Sequence, residues 1–182
     1  MRNKTEINRV SFGTRHVKNF LKSFVIILVV VVFNGGICFA KTIPEFESMK
    51  SLVGEWKGTS MGGKPATVTY TLVSDNSVLM ERLFMGGESE MVTMYHSDGD
   101  RLMMTHYCSA HNQPRMRSQT VAGGSKIITF DLVDVTNLSA PDAGHMKKLV
   151  VTFEDKDHFT QEWTWTEKGK ETAVVIRFER NK

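Results

Sequence analysis

From Trp56 to the C-terminus, apolar and polar residues alternate with period two, and turn residues break the pattern at short intervals. That is the signature of half-buried β-strands. In Ala66–Ser74 (ATVTYTLVS), Val68, Tyr70 and Leu72 alternate with threonines. Asp75-Asn76 turns the chain, Ser77–Met85 answers as a second strand, and Gly86-Gly87 turns it again. Glu90–His96 and Arg101–Cys108 flank Ser97-Asp98-Gly99-Asp100, a hairpin signal because Asp-Gly accepts positive φ. Arg115–Val121 and Lys126–Val135 flank Ala122-Gly123-Gly124-Ser125, and a longer loop, Thr136–His145, carries Pro141 and Gly144. Met146–Glu154, His158–Glu167 and Glu171–Arg180 complete the series. One helical signal precedes it: Thr42 suits a cap, Pro44 suits the first turn, and Phe46, Met49, Leu52 and Val53 fall on one face.

Strands joined by tight turns pair antiparallel with their neighbours, giving an up-and-down meander. A meander of about nine or ten strands leaves two exposed edges unless it closes. The pattern therefore predicts an all-β fold, an antiparallel up-and-down β-barrel of about 8–10 strands with a short N-terminal helix. An open, strongly curved sheet wrapped on the helix is the alternative.

Composition changes the picture at the N-terminus. Residues 1–22 carry Arg2, Lys4, Arg9, Arg15, Lys18 and Lys22 against one acid, Glu6. An apolar run from Phe24 to Phe33 follows, then Asn34-Gly35-Gly36, then Cys38-Phe39-Ala40 with small residues where a signal peptidase needs them. That order predicts a secretory signal peptide over 1–40 and a single mature domain over 41–182 in the periplasm or outside the cell. The competing readings are an uncleaved anchor, for which the apolar run is only about half a membrane span, and a lipoprotein at Cys38, for which Ile37 is too bulky; no stable membrane anchor is expected after cleavage. Removing 1–40 takes six of the 23 basic residues and one of the 20 acidic ones, leaving 17 against 19. The basic excess thus belongs to the export segment, and nothing remains to follow a nucleic-acid backbone. Cys108 is the sole mature cysteine, so no internal disulfide forms.

Leu52-Val53-Gly54-Glu55-Trp56-Lys57-Gly58, a helix running into Gly-x-Trp at the first strand, resembles the opening of lipocalin-like (calycin) barrels. The resemblance implies that Trp56 packs over the closed end. The Gly-x-Trp-x-Gly form and the strand count also resemble the nitrobindin-like branch, which holds haem in a shallow barrel. That likeness implies a neutral histidine free to reach iron, with His106 and His158 as candidates. The stretch from Tyr95-His96-Ser97-Asp98-Gly99-Asp100 through Thr105-His106-Tyr107-Cys108-Ser109-Ala110-His111-Asn112-Gln113-Pro114-Arg115-Met116 is similar to bacterial lipocalin-like domains of unknown function.

Chemistry concentrates in His106–Arg117. Leu102, Met104, His106 and Cys108 share one strand face, expected to be interior. Asn112-Gln113-Pro114 then turns the chain toward Arg115. An imidazole, a thiol, two amides and a guanidinium at a barrel mouth would orient a ligand carboxylate or carbonyl. Equally, they would fix the hairpin, with Asn112 and Gln113 bonding turn backbone. Phe159, Gln161, Trp163 and Trp165 alternate along another face, as an aromatic core wall or one wall of a ligand pocket with Gln161 as polar handle. Met80, Met85, Met91, Met94, Met103, Met104 and Met116 suit an adaptable cavity lining or packing filler. Glu81 and Arg82 take opposite faces, so one turns inward and needs a partner such as Arg115 or Glu162.

His106 and Cys108 lie about 6.5–7 Å apart on one strand, beyond direct hydrogen-bond reach for a nucleophilic pair. No acid/base pair supports catalysis, and His96, His106, His111, His145 and His158 show no metal-ligand spacing. The residues therefore favour an exported module of the cell envelope that binds a small, mostly apolar or amphipathic ligand. A haem-binding protein and a packed barrel acting through protein contacts are the rivals.

Overall fold

A computed structural model describes residues 43–87, 89–120 and 125–182. The proposed signal segment, Thr42 and the Gly123-Gly124 turn lie outside them. Helix α1 (Pro44–Lys50) leads into β1 (Gly54–Ser60), β2 (Pro65–Val73), β3 (Val78–Met85), β4 (Met91–Asp98) and β5 (Arg101–Tyr107). Then come β6 (Gln113–Ser118), β7 (Ile127–Thr136), β8 (His145–Phe153), β9 (His158–Glu167) and β10 (Lys170–Arg180). Every strand pairs antiparallel with its neighbour in sequence, and β1 pairs with β10 to close the barrel. Closure removes both edges, and the open-sheet alternative falls. No described helix is long and apolar enough to cross a membrane.

The end holding α1 is filled. Pro44 occupies the first helical turn, the cap position is Ile43 without a side-chain cap bond, and Phe46, Met49 and Leu52 are buried. Val53 departs from the expected face and is exposed, because the chain has left the helix by then. Trp56 is buried, and its Nε1–H donates to the Leu52 carbonyl at 2.7 Å. Its ring meets Phe159 edge-on at 4.8 Å, and Phe159 stacks on Phe178 at 4.9 Å. The Arg180 guanidinium lies 4.0 Å over the Trp56 ring, and its N–H groups donate to the Ser51 and Val53 carbonyls. Gly58 is required here, since a Cβ would stand 2.5 Å from the Arg177 carbonyl and 2.6 Å from Phe178.

Two bulges adjust the other end, as bulges do at barrel rims. Leu149 and Val151 face inward, so strict alternation would send Lys147 inward and Met146 out. A register shift between Met146 and Lys148 reverses this: Met146 packs on the core and Lys147 pairs with Glu171 outside. The pairing of β6 with β7 shifts likewise between Arg115 and Met116.

Candidate functional site

Four adjacent strands each send one polar side chain inward at the same height. Tyr70 of β2 pairs in register with Glu81 of β3, Glu81 with Thr93 of β4, and Thr93 with His106 of β5. All four are at most 1% exposed. Gln161 reaches the row from β9, across the barrel.

The hydrogen bonds of this row have a determined direction. Indole nitrogen only donates, so Trp163 Nε1–H gives its proton to Gln161 Oε1 at 3.0 Å. That fixes the amide, whose Nε2 donates to Glu81 Oε2 at 2.7 Å and to the Tyr70 hydroxyl at 2.8 Å. Tyr70 and Tyr95 donate to Glu81 Oε2 at 2.6 and 2.9 Å, and Thr93 donates to Glu81 Oε1 at 3.2 Å. A carboxylate, which only accepts, satisfies all four donors. Burial nonetheless pushes the Glu81 pKa up, with the bonds from Tyr70, Tyr95, Gln161 and Thr93 pulling it back. Burial and the neighbouring Glu81 hold both tyrosines well above their ordinary value.

With Glu81 ionised, Thr93 gives its one proton to the carboxylate, and the 2.9 Å contact between Thr93 Oγ1 and His106 Nδ1 is then assigned as Nδ1–H donating to the hydroxyl. The other ring nitrogen, Nε2, then carries a bare lone pair. No described residue gives it a hydrogen bond, although it is buried. Burial depresses the His106 pKa from 6.5 to about 4, so the ring is neutral at physiological pH.

Above this row the barrel is hollow. A cavity of about 480 Å³ is lined by Leu83, Met85, Met91, Met146, Val174 and Ile176, by Trp163 and Trp165, and by His106 and Cys108. His106 lies against Trp163, ring centroids 4.7 Å apart. Glu167 is the one charged residue among the described residues of the lining. A more polar vestibule adjoins it, sharing Ala110, Trp165 and Glu167. Gly144 touches Trp165 there so closely that a Cβ would collide with the indole.

The site residues expected from sequence separate into two groups. His106, Cys108 and Trp163 line the cavity, and Gln161 sits in the polar row beneath it. Asn112 lines the adjoining vestibule, while Gln113 and Arg115 line neither space. Asn112 Nδ2 donates to the Gly144 carbonyl, tying two rim loops together, and Gln113 bonds Thr136 and the His111 carbonyl. Arg115 lies on the outer face in a two-bond pairing with Asp134. Its phase follows from Met116 and Ser118, which are buried and so turn Arg115 outward. Glu81 is the inward member of its pair, with partners other than Arg115 and Glu162, while Arg82 meets Glu90 outside. Tyr70, Glu81 and Thr93 were missed as a unit. Their signal lay in the positions of the hairpin turns, which set the register that aligns them. Of the methionines, Met85 and Met91 line the cavity, Met104 and Met116 fill the core, and Met80, Met94 and Met103 are half-buried.

No group of three or more metal-ligating side chains occurs among the described residues. Haem can be tested against the geometry. The neutral imidazole with a bare Nε2 suits an axial ligand, whereas the lining offers no Lys or Arg for the two porphyrin carboxylates and presents Glu167 instead. The donor set fits the iron and not the rest of the group. His158 lies outside this cavity, exposed on the barrel surface and paired with Asp155.

Fold and cavity together define a closed ten-stranded antiparallel barrel, packed at one end and hollow at the other. Two solved structures share that fold. One is a protein of unknown function from the DUF3598 family of Nostoc punctiforme, with 10% identity and a TM-score of 0.52 over 73% of this chain and 49% of that one. The present chain thus spans about half of that protein's length. The other is Rv2717c from M. tuberculosis, with 13% identity and a TM-score of 0.52 over 76% of this chain and 98% of that one. No family profile and no curated protein matches the sequence.

Proposed function

We propose that this chain is a small-molecule binding module of the cell envelope, and that a mostly apolar ligand occupies the hollow end of the barrel. The observation that carries the reading is the His106 Nε2 lone pair, buried without a partner in the lining of an apolar cavity. An unsatisfied buried acceptor costs about 1–3 kcal/mol, which a ligand hydrogen bond would recover. The cavity falls in the usual range for small-molecule sites, and three methionines give its wall adaptability. A lipocalin-like kinship and export through residues 1–40 belong to the same proposal.

Titration with N-phenyl-1-naphthylamine, read as quenching of the Trp163 and Trp165 fluorescence, tests it. Saturable binding lost on filling the cavity with Val174→Trp is expected. Absence of saturable binding, with no added mass in native mass spectrometry of the purified protein, would overturn it.

Haem is the second reading, favoured by the same bare nitrogen. Its carboxylates lack cationic partners in the lining, so haem addition is expected to give no His106-dependent Soret band. A Soret band abolished by His106→Ala would put haem in place of the apolar ligand.

A further inference from the structure

The hydrogen-bond directions beneath the cavity restrict which end of a ligand can enter the barrel. The chain of donors runs from Trp163 to Gln161 to Glu81, and from His106 through Thr93 to the same carboxylate. Every proton in it is directed toward Glu81, so the atom left over at the cavity is an acceptor. A ligand that satisfies His106 Nε2 must bring its own proton.

Charge narrows the class further. The lining holds Glu167 and no cation among its described residues, and a second carboxylate, Glu81, lies in the layer beneath. A ligand carboxylate would lose its hydration and gain no cationic partner in the lining, a cost of several kcal/mol that the Ser109 and Thr172 hydroxyls offset only in part. The rest of the wall is mostly apolar (methionine, leucine, valine, isoleucine, alanine and tryptophan), with the Cys108 thiol and the Ser109 and Thr172 hydroxyls as its other polar groups.

We propose that the ligand is an uncharged apolar molecule bearing a hydroxyl or N–H donor at its inserted end, which bonds His106 Nε2, and that the site selects against carboxylates. This specificity rests on the binding proposal above. Thr93 and Glu81 act as positioning residues, because they hold the imidazole in the tautomer that accepts.

Displacement of N-phenyl-1-naphthylamine from the purified protein by three compounds of one chain length tests the claim: 1-octanol, octyl methyl ether and octanoate. The alcohol is expected to displace the dye at a concentration about tenfold below the ether, as one neutral hydrogen bond gives. Octanoate is expected to be the weakest of the three. Equal displacement by alcohol and ether, or strongest displacement by octanoate, overturns the specificity while leaving the binding module standing. Failure of the dye and all three compounds to bind overturns the binding module itself. Nitrogen-15 NMR of labelled histidine gives a readout that needs no ligand. A pyridine-type His106 Nε2 resonance is expected in the wild type, and Thr93→Val should convert part of it to the protonated form. A fully protonated Nε2 in the wild type refutes the proposal.

Discussion

Acidification should draw a loss of stability from His106. His106 is 1% exposed, and burial lowers its pKa from 6.5 to about 4. Unfolding returns the ring to water, where it binds a proton below its ordinary pKa. Between those two values the unfolded state therefore holds more protons than the native state, and stability falls as pH falls from about 6.5 toward about 4. The full gap is worth roughly 3 kcal/mol, at about 1.36 kcal/mol per pH unit, of which about 2.5 kcal/mol is lost by pH 4.5. Two other groups work in the opposite sense. Glu81 has a raised pKa, so protonation relieves a buried charge and favours the fold on the acid side. His158, whose pKa is raised by Asp155, contributes stability below its ordinary pKa that fades as pH rises through its folded value. Comparison of wild type with His106→Gln cancels both to first order. Urea denaturation of the two proteins at about pH 7.5 and pH 4.5 should show a larger acid loss in the wild type, by about 2 kcal/mol. Equal pH dependence in both, or a His106 NMR titration midpoint near 6.5, would refute the reasoning.

Trp56→Ala should destabilise by about 3–5 kcal/mol in chemical denaturation, because it removes the indole that Leu52, Phe159 and Arg180 all contact; a change below about 1 kcal/mol contradicts that. Arg115→Ala should leave dye affinity unchanged, since the guanidinium faces Asp134 on the outer surface; weakened binding in the fluorescence titration would return Arg115 to the site. N-terminal sequencing of the exported protein should begin at Lys41, and retention of residues 1–40 or acylation of Cys38 would defeat the export reading.

The sequence disclosed the strands well because most of them bury one face only, so period-two alternation survives in the residues themselves. His106 with Cys108, and Gln161 with Trp163, could be placed inside for the same reason: each shares its phase with large apolar residues. Strand β3 was ambiguous because both phases are apolar, Leu79 and Leu83 on one side against Met80 and Phe84 on the other. Only the register with Tyr70 and Thr93 shows why Glu81 is the inward member. Arg115 failed differently. Its proximity to a polar turn outweighed the phase of Met116, and the bulge that brings Asp134 opposite it has no local sequence signature. A register shift of the same kind acts at Met146 in β8, which strict alternation alone would point to solvent.

The polar row also bears on why one end of the barrel is packed and the other hollow. A buried carboxylate with two tyrosines, a glutamine and a threonine is a poor source of stability. Replacing such a cluster with apolar residues of similar volume is often neutral or stabilising. Below the row, Trp56, Phe159, Phe178 and α1 already close the floor. The cluster is therefore not needed to seal the barrel. What it does that leucines would not is set the direction of every proton at mid-height, leaving one acceptor at the boundary with the cavity. A fully satisfied network fixes a single arrangement of its members, and here all but one of its principal bonding groups are satisfied. The exception is the nitrogen of the one member that lines the hollow end.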